Sequence, residues 1–401
     1  MEYSSQNKKG ITLVEILIAM GIISILFASF FYIWNTMDIF RKSRDSKRIN
    51  DLQLLDTALK TLLSTERNIN LGEENVIYTS LPDSSSTCGS YDLVPLFSPY
   101  SYRCQTSQNY LKVDGDGWLP VNFTLGKVLA ISVLPIDPLN NKDYFYAYQV
   151  RQGRYKLTAR FENQTNISKM ANDAGFEPTL YEVGSDLFIP SPHSGLVGYW
   201  SFDEGTGTIA YDLSGYGNNG TLVNFNFTAT SGWTTGKIGK ALIFDGVDDY
   251  VSLSQQPFLS NGFTFSVWAK ILSPVPSGHT NIFNNNQFFI RKSNSTEGNY
   301  WDAFVTLSDN SVEPRARGIL AQADIWTHLI VTWDKTMLKI YVNSESKGNV
   351  ARTGDLTSTT VTAQLGRGEQ TNTLLHPFLG IIDEVRIYNR ALSPAEIKAL
   401  Y

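Results

Sequence analysis

The chain has 401 residues, of which 42% are hydrophobic, and this allows two or three domains that each bury a core. The net charge is −5, so the chain lacks the excess of basic residues typical of nucleic-acid-binding proteins, and no nucleic-acid partner is predicted. Aromatic residues are frequent, and Gly, Asn, Ser and Thr crowd the second half, a mixture typical of sheet proteins with many turns.

An apolar segment runs from Ile11 to Trp34 after the polar leader MEYSSQNKKG. Its roughly 24 residues would span about 36 Å as a helix, which is enough to cross the hydrocarbon core of a bilayer. No small-residue cleavage site follows the segment, so a cleavable secretory signal is a poor interpretation. A plain transmembrane anchor does not explain Glu15, because a charge at membrane depth costs about 2.5–3.5 kcal/mol and usually has a partner.

The sequence KKG ending at Gly10, followed by a short gap, Glu15 and a long apolar run, resembles the class III signal of type IV pilins and type II secretion pseudopilins. The resemblance implies that a prepilin peptidase cleaves between Gly10 and Ile11 and methylates the new N-terminus. It also implies that Glu15 is the assembly carboxylate, which pairs with the free amine of a neighbouring subunit. Ile11 stands where the family usually has Phe.

The same resemblance implies a location. Before assembly, residues 11–34 would hold a single-pass precursor in the cytoplasmic membrane with its C-terminal part outside, and after assembly the protein would lie in an extracellular pilus or at the cell surface. The positive-inside rule favours the opposite orientation, because more cations follow the apolar segment than precede it. Aspartates interleave with those downstream cations on one continuing helix, so the orientation is inferred from the leader.

Leucine and isoleucine recur at three- and four-residue steps after Trp34, which predicts a helix over 11–64 that becomes amphipathic in its second half. Residues 65–186, here called the head, contain short aromatic and β-branched runs between turns, typical of a small antiparallel sheet. RQGR, with Gly153, predicts a hairpin between two of these runs. The long helix and the small sheet together resemble the α+β fold of pilins.

The head contains the two cysteines of the chain, Cys88 and Cys104. They are either two free thiols or one disulfide, and no neighbouring Cys or His completes a zinc site. Export, which the signal implies, predicts the disulfide, and the bridge would contribute about 3 kcal/mol. Asp137 in LPIDPLNN resembles the Asp-Pro loop that binds calcium in some pseudopilin heads, and the alternative is an ordinary turn.

A proline-containing segment at 187–195 predicts a semi-rigid linker, and residues 196–401 alternate strands with Gly and Asn turns as an all-β sandwich or jelly roll does. GLVGYWSFDEGTGTIAYDLSGYGNNG, GKALIFDGVDDYVSL and GIIDEVRIYNRALSPAEIKAL resemble the laminin-G-like, concanavalin A-like lectin domains of bacterial surface proteins. Ser393, Pro394 and Glu396 form a capping box that predicts a short closing helix.

Alternation in IIDEVRIYN places Asp383 on an apolar face with Ile381 and Val385, where an ionised carboxylate needs hydrogen bonds or a metal. We therefore predict a structural calcium site formed by Asp383 with Asp212 and Asn218 of the YDLSGYGNNG loop. The alternative is an aspartate that holds loop amides together. No organic cofactor is expected.

The concanavalin A-like superfamily also contains glycanases, whose retaining mechanism needs two carboxyl groups about 5–5.5 Å apart. No acids spaced by two or four positions along one strand form such a pair, and the four histidines lie in no serine-hydrolase pattern, so no enzyme activity is predicted. Trp301 follows a polar loop and is the candidate ligand-facing aromatic residue.

These observations predict a prepilin-like subunit, minor or at the tip because its second domain would crowd a helical shaft, that displays a lectin-like domain for surface adhesion or glycan binding. Its expected partners are prepilin peptidase, other pilin subunits, the assembly machinery, the membrane, and a glycan or other surface ligand. Two alternatives remain: a pseudopilin of a secretion or DNA-uptake machine, and a membrane-anchored binding protein that never polymerises.

Overall fold

The computed structural model describes residues 13–401 except 97, 126–130, 164–165, 167–168, 171–172, 176, 254–258, 260–261, 310–313, 359–361 and 369–375. Helix α1 spans Leu13–Thr65 and helix α2 spans Pro394–Ala399. The strands of the head are β1 (Val76–Pro82), β2 (Ser101–Gln105), β3 (Ala147–Arg151), β4 (Arg154–Ala159) and β5 (Tyr181–Gly184). The strands that follow are β6 (Leu196–Trp200), β7 (Ile209–Ala210), β8 (Gly220–Val223), β9 (Gly232–Thr235), β10 (Lys240–Asp245), β11 (Tyr250–Leu253), β12 (Phe263–Ile271), β13 (Thr280–Asn284), β14 (Phe288–Lys292), β15 (Tyr300–Val305), β16 (Arg315–Leu320), β17 (Thr327–Trp333), β18 (Met337–Val342), β19 (Glu345–Ala351), β20 (Gln364–Leu365) and β21 (Leu379–Tyr388).

In the head, the second half of α1 packs against a five-stranded sheet in the order β2-β1-β3-β4-β5. The pairing of β1 with β2 is parallel, and the other pairings are antiparallel. The leucine stripe of α1 is completely buried against sheet tyrosines, and its members are Leu52, Leu55, Leu59 and Leu62. Burying each leucine contributes about 1.5–3 kcal/mol, so this stripe holds the helix on the sheet.

A buried ionic cluster lies at the point where α1 meets the head. The guanidinium of Arg48 is completely buried and binds both oxygens of Asp137 at 2.6 and 2.8 Å, with Asp45 at 2.9 Å and Glu162 at 2.6 Å. Burial alone would lower the pKa of Arg48, but the bonds to Asp137 and Glu162 raise it above its ordinary value, so the residue stays charged. Asp137 is therefore an ion-pair partner that anchors α1.

The disulfide between Cys88 and Cys104 is confirmed, with the two Cα atoms 5.2 Å apart. Both cysteines are buried, and they pack with Leu81 in a small cluster beside the main core of the head. The hydroxyl of Thr79 lies 3.1 Å from the sulfur of Cys104. The bridge ties the loop after β1 to strand β2.

Two eight-stranded sheets form the sandwich, which begins at Leu196 in this structure. One has the order β19-β18-β17-β12-β21-β10-β9 with β6 also paired to β21, and the other has the order β16-β15-β14-β13-β20-β11-β8-β7. One continuous apolar cluster fills the space between them, and its largest members are aromatic. The all-β part of the predicted fold is therefore confirmed.

Strand β21 contains a bulge that the alternation pattern did not reveal. Ser266 of β12 pairs with Arg386 but Trp268 pairs with Asp383, so β21 has an extra residue, and Glu384 has a left-handed φ of 52°. The bulge shifts the pattern by one residue: Ile382 enters the core between the sheets, whereas Ile381 packs in a separate outer cluster. The prediction that Asp383 shares the core face of Val385 is therefore wrong.

Helix α2 confirms the capping box. The hydroxyl of Ser393 accepts a hydrogen bond from the amide of Glu396, and the carboxylate of Glu396 accepts one from the amide of Ser393. Pro394 occupies the first turn, as the sequence predicts. The helix packs outside the sandwich, and its Ala399 belongs to the apolar core of the head.

Candidate functional site

The N-terminal signal falls mostly outside what the structure describes. Gly10 and Ile11 lie outside the described residues, and Glu15 lies in the backbone of α1 while its side chain is not described. The next described side chains, among them Leu17 and Met20, are apolar and more than half exposed. Within the described part of the chain, no helix has the length and hydropathy needed to span a bilayer. Cleavage, the role of Glu15 and the membrane span over 11–34 stay predictions.

Trp301 does not face a ligand, and this prediction is wrong. Its side chain is 1% exposed and belongs to the core between the two sheets. Strand β15 alternates Trp301, Ala303 and Val305 inward, so Tyr300 and Asp302 point the other way. The polar loop before the strand suggested exposure, whereas the alternation inside the strand carried the correct signal.

The three residues of the predicted calcium site have different partners. Asp212 accepts hydrogen bonds from the amides of Tyr199, Ser214 and Asn218 and from the hydroxyl of Ser214, at 2.8–2.9 Å. Asn218 lies beside it and donates its side-chain amide to the carbonyl of Val197 at 2.7 Å. These four bonds occupy the lone pairs of Asp212, so a cation there would have to displace them. The arrangement favours the alternative in which Asp212 holds loop amides, and calcium at this loop stays a prediction.

Asp383 serves a different turn. Its Oδ2 accepts the amides of Lys237 and Ile238 at 2.7 and 3.0 Å, and its Oδ1 has no hydrogen-bond partner although the residue is completely buried. Burial raises the pKa of Asp383 to about 7, against the two amide bonds, which lower it. The carboxyl therefore binds a proton more readily than an exposed aspartate does.

Most of the segment predicted as a linker, residues 189–195, is buried between the head and the sandwich. Residues 190–195 are all buried, and Pro192–Ser194 form a short 3-10 helix. The carbonyl of Pro190 accepts a hydrogen bond from Gln149 of β3, and the ring of His193 lies 2.9 Å from the hydroxyl of Thr158 in β4. Burial lowers the pKa of His193 to about 3, so the ring is neutral at ordinary pH. Residues 187–195, here called the joint, therefore pack largely between the two parts and do not form an exposed spacer.

Charged side chains fasten the same joint. The carboxylate of Glu396 in α2 binds Arg390 at 2.6 Å and lies 3.3 Å from Arg160 of the head. Glu177 of the head accepts hydrogen bonds from the hydroxyls of Tyr388 in β21 and Ser194 in the joint. Because the two carboxylates are buried and paired with groups from the opposite part of the protein, they hold the sandwich in one orientation on the head.

A pocket of about 480 Å³ opens beside this joint, and it was not predicted from the sequence. Both parts of the protein line it, with Arg151, Phe188 and Pro190 from the head and joint and with Tyr199, Ser201, Asp203, Asp212, Leu213 and Gly215 from the sandwich. Its volume lies within the range of small-ligand sites, about 300–1,000 Å³. The lining residues are far apart in sequence. The one local indication is Phe188, an aromatic residue in a proline-containing segment, and 67% of its surface is exposed.

Gly215 allows the two parts to approach closely at the pocket. Its φ is +93°, and a Cβ atom there would lie 2.9 Å from the ring of Pro190. The ring of Tyr100 from the head meets the ring of Tyr216 edge-on, with centroids 5.6 Å apart. A side chain at residue 215 would therefore push the head and the sandwich apart and open the pocket.

The pocket lining is mixed in character. Phe188, Pro190 and Leu213 contribute apolar groups, and Ser201 and Asp203 contribute polar groups. Among the described residues that line it, Arg151 is the cationic one, and it binds Asp186 at 3.2 Å. Asp203 and Asp212 carry two formal negative charges against the one positive charge of Arg151, so the lining is negative on balance.

Two family models match the chain. Residues 5–31 match the prokaryotic N-terminal methylation motif, and residues 245–398 match the concanavalin A-like lectin/glucanases superfamily. Both resemblances predicted from the sequence are confirmed. The chain thus joins a prepilin-type signal to a laminin-G-like domain of the concanavalin A-like class. No curated protein matches the chain.

Several solved structures are similar to part of this chain. Domain 4 of AbnA, a GH43 extracellular arabinanase from Geobacillus stearothermophilus solved with arabinotriose, is 26% identical with a TM-score of 0.38, and the match covers 51% of this chain and 97% of that one. The binding domain of Paraclostridial Mosquitocidal Protein 1 is 15% identical with a TM-score of 0.40, covering 52% of each chain. The ligand binding domain of botulinum neurotoxin serotype D with N-acetylneuraminic acid is 14% identical with a TM-score of 0.39, covering 52% and 50%. The chain thus spans about half the length of the two toxin domains, and with TM-scores below 0.5 these likenesses carry no argument about its ligand.

Proposed function

We propose that this protein is a prepilin-like subunit that polymerises through its N-terminal helix and presents a glycan-binding sandwich in a set orientation. The observation that carries the proposal is that one chain joins a prepilin-type signal to a lectin-like domain across a buried joint. A signal of this type implies a prepilin peptidase, a membrane-held precursor with its C-terminal part outside, and an assembly machinery. After assembly the sandwich would lie at the surface of a pilus or of the cell.

The N-terminal part supports polymerisation. Described side chains near the start of α1, such as Ile18 and Ile22, are apolar and more than half exposed in the single chain. Lipid in the precursor and neighbouring helices in a fibre would both cover them. The second half of α1 packs on the five-stranded sheet, an arrangement in keeping with the pilin fold that we propose for residues 11–186.

Glu15 is the residue that distinguishes a polymerising subunit from a plain anchor. In a fibre its carboxylate would pair with the freed amine of Ile11 on a neighbouring subunit. Glu15→Ala should therefore leave cleavage intact and abolish entry into filaments, whereas Glu66→Ala, beyond the end of α1, should change neither cleavage nor entry into filaments. If the Glu15→Ala protein enters filaments normally, the polymerisation proposal is wrong, and a tethered receptor explains the chain better.

We propose that the pocket at the joint is the glycan site. A sugar ring presents C–H groups on one face and hydroxyls at its edge, and the pocket offers Phe188 and Leu213 to the first and Ser201 and Asp203 to the second. Because the carboxylates outweigh the paired Arg151, the pocket favours neutral saccharides over anionic ones. Both the head and the sandwich line the pocket, so it requires them to be docked.

A glycan array probed with the full chain in detergent tests this site. We expect neutral glycans to bind and sialylated ones to be rejected. Phe188→Ala should weaken binding about tenfold or more because it removes an apolar contact of the pocket. Asp203→Asn should also weaken binding because it removes a charged hydrogen-bond acceptor. Phe227→Ala, which removes an exposed phenyl group outside the pocket, should bind normally. Unchanged binding by Phe188→Ala and Asp203→Asn together would place the glycan elsewhere.

We further propose that the subunit is minor or at the tip, binds its glycan without cleaving it, and serves adhesion. The size of the sandwich beside the head supports a low copy number, and a low ratio to the main subunit in purified filaments is expected. Dominance of this chain in filaments would contradict a minor or tip role.

Incubation of the protein with a bound glycan should release no products. Loss of secretion or DNA uptake on deletion, in place of adherence, would favour the pseudopilin alternative.

A further inference from the structure

Three carboxylates converge where the chain crosses from one sheet of the sandwich to the other. Strand β10 ends at Asp245 and pairs with β21, and β11 begins at Tyr250 and pairs with β8 in the opposite sheet. In the turn between these strands, Asp245, Asp248 and Asp249 each have one carboxylate oxygen within 4.8 Å of a carboxylate oxygen of the other two. The cluster therefore sits at a connection between the two layers.

Asp249 is the buried member of the cluster. Its side chain belongs to a residue that is 1% exposed, its Oδ2 accepts the amide of Asp245 at 3.0 Å, and its Oδ1 has no hydrogen-bond partner. A buried carboxylate oxygen that accepts no hydrogen bond is an available ligand for a cation.

The turn holds these acids together without a counter-charge. Oδ1 of Asp245 accepts the amide of Val247 at 2.8 Å, and the side chain of Asn224 donates to the backbone carbonyl of Asp248 at 3.2 Å. Among the described residues, the ion pairs of the sandwich involve other acids, and none joins a lysine, arginine or histidine to this cluster. The turn therefore concentrates negative charge and leaves it unneutralised by protein groups.

We propose that Asp245, Asp248 and Asp249 bind a calcium ion that joins the two sheets at this crossover. The donors are all carboxylate oxygens with no nitrogen or sulfur ligand among them, which is the chemistry of a hard cation and not of zinc. Calcium suits the site better than magnesium because it accepts irregular oxygen geometry, whereas magnesium demands a near-ideal octahedron. The site differs from the one predicted at Asp212, Asn218 and Asp383.

Calcium titration of the full chain in detergent, after removal of metal by a chelator, tests the proposal by calorimetry and by the thermal midpoint. Wild type should bind calcium with a rising midpoint, and magnesium at equal concentration should raise it less. Asp249→Asn should abolish binding, and Asp248→Asn, which changes a more exposed residue, should weaken it at least about tenfold. Asp383→Asn is the matched control, because it changes another buried aspartate with one unpaired oxygen.

Each outcome decides between the proposal and its alternatives. The crossover site is supported if calcium binding is preserved in Asp383→Asn and weakened in Asp248→Asn. This result decides the question even if Asp249→Asn fails to fold. No heat and no midpoint shift in wild type would overturn the proposal. The proposal would also be overturned if calcium binding were abolished in Asp383→Asn and preserved in Asp248→Asn. That result would favour the site around Asp383.

Discussion

Removal of the charge of Glu396 tests whether the joint holds the sandwich on the head. Glu396→Gln keeps the shape of the side chain but leaves Arg390 and Arg160, whose side chains are only 17% and 19% exposed, without their shared buried carboxylate. Breaking a buried ion pair by removing one partner costs about 3–5 kcal/mol. We therefore expect the free energy of unfolding to fall by about that amount in urea titrations followed by tryptophan fluorescence.

Two further readouts belong to the same prediction. Burial alone would raise the pKa of Glu396, but Arg390 and Arg160 lower it well below its ordinary value. Its stabilising contribution is therefore present above the unfolded pKa near 4.5 and is lost as the pH falls toward the folded pKa, so wild type should show this loss and Glu396→Gln should not. Hydrogen exchange of the amides in 190–195 should also become faster in the variant, because that segment is buried in the joint.

Glu345→Gln is the matched control. Glu345 pairs with Lys347 on an exposed strand, and its side chain is 72% exposed, so we expect no measurable change in unfolding or in exchange. If Glu396→Gln matches wild type in stability and in the exchange of 190–195, the joint does not hold the two parts together, and the proposed pocket loses its support.

Three further substitutions test the fold. Asp383→Asn should remove a pH dependence of stability. Because burial raises the pKa of Asp383 to about 7, the wild-type protein gains stability as the pH falls from about 7 toward 4. Thermal melts across that range should show no such gain in the variant. Trp301→Ala should lower the free energy of unfolding by about 3–5 kcal/mol without changing glycan affinity at equal folded concentration, and a loss of affinity would place Trp301 at a binding site after all. Replacing Cys88 and Cys104 together by Ala should cost about 3 kcal/mol in urea unfolding under oxidising conditions, and no difference from wild type would mean that the bridge is not formed in the purified protein.

Local patterns predicted local features. The capping box of α2, the leucine stripe of α1 and the hairpin at Gly153 all appear where the sequence places them, and α1 ends at Thr65, one residue beyond the predicted bound. Each of these features depends on residues a few positions apart, so periodicity and turn chemistry are sufficient to identify them.

Features that depend on distant contacts were not predictable. The bulge at Glu384 depends on how β12 pairs with β21, and it reversed the face assigned to Asp383. The linker was expected to be a semi-rigid spacer because its prolines predict extended backbone, and the sequence did not reveal that the head and the sandwich both pack on it. The pocket combines residues from 151 to 215 that no sequence window brings together, so it emerged only from the docked arrangement.

Intact mass spectrometry of the protein from its native membrane or filaments tests whether the chain is a processed subunit of a polymer. We expect a mature polypeptide that begins at Ile11 with a methylated amine, since only cleavage after Gly10 supplies the amine that Glu15 would pair with. A polypeptide that still begins at Met1 would refute processing and, with it, the proposed polymerisation.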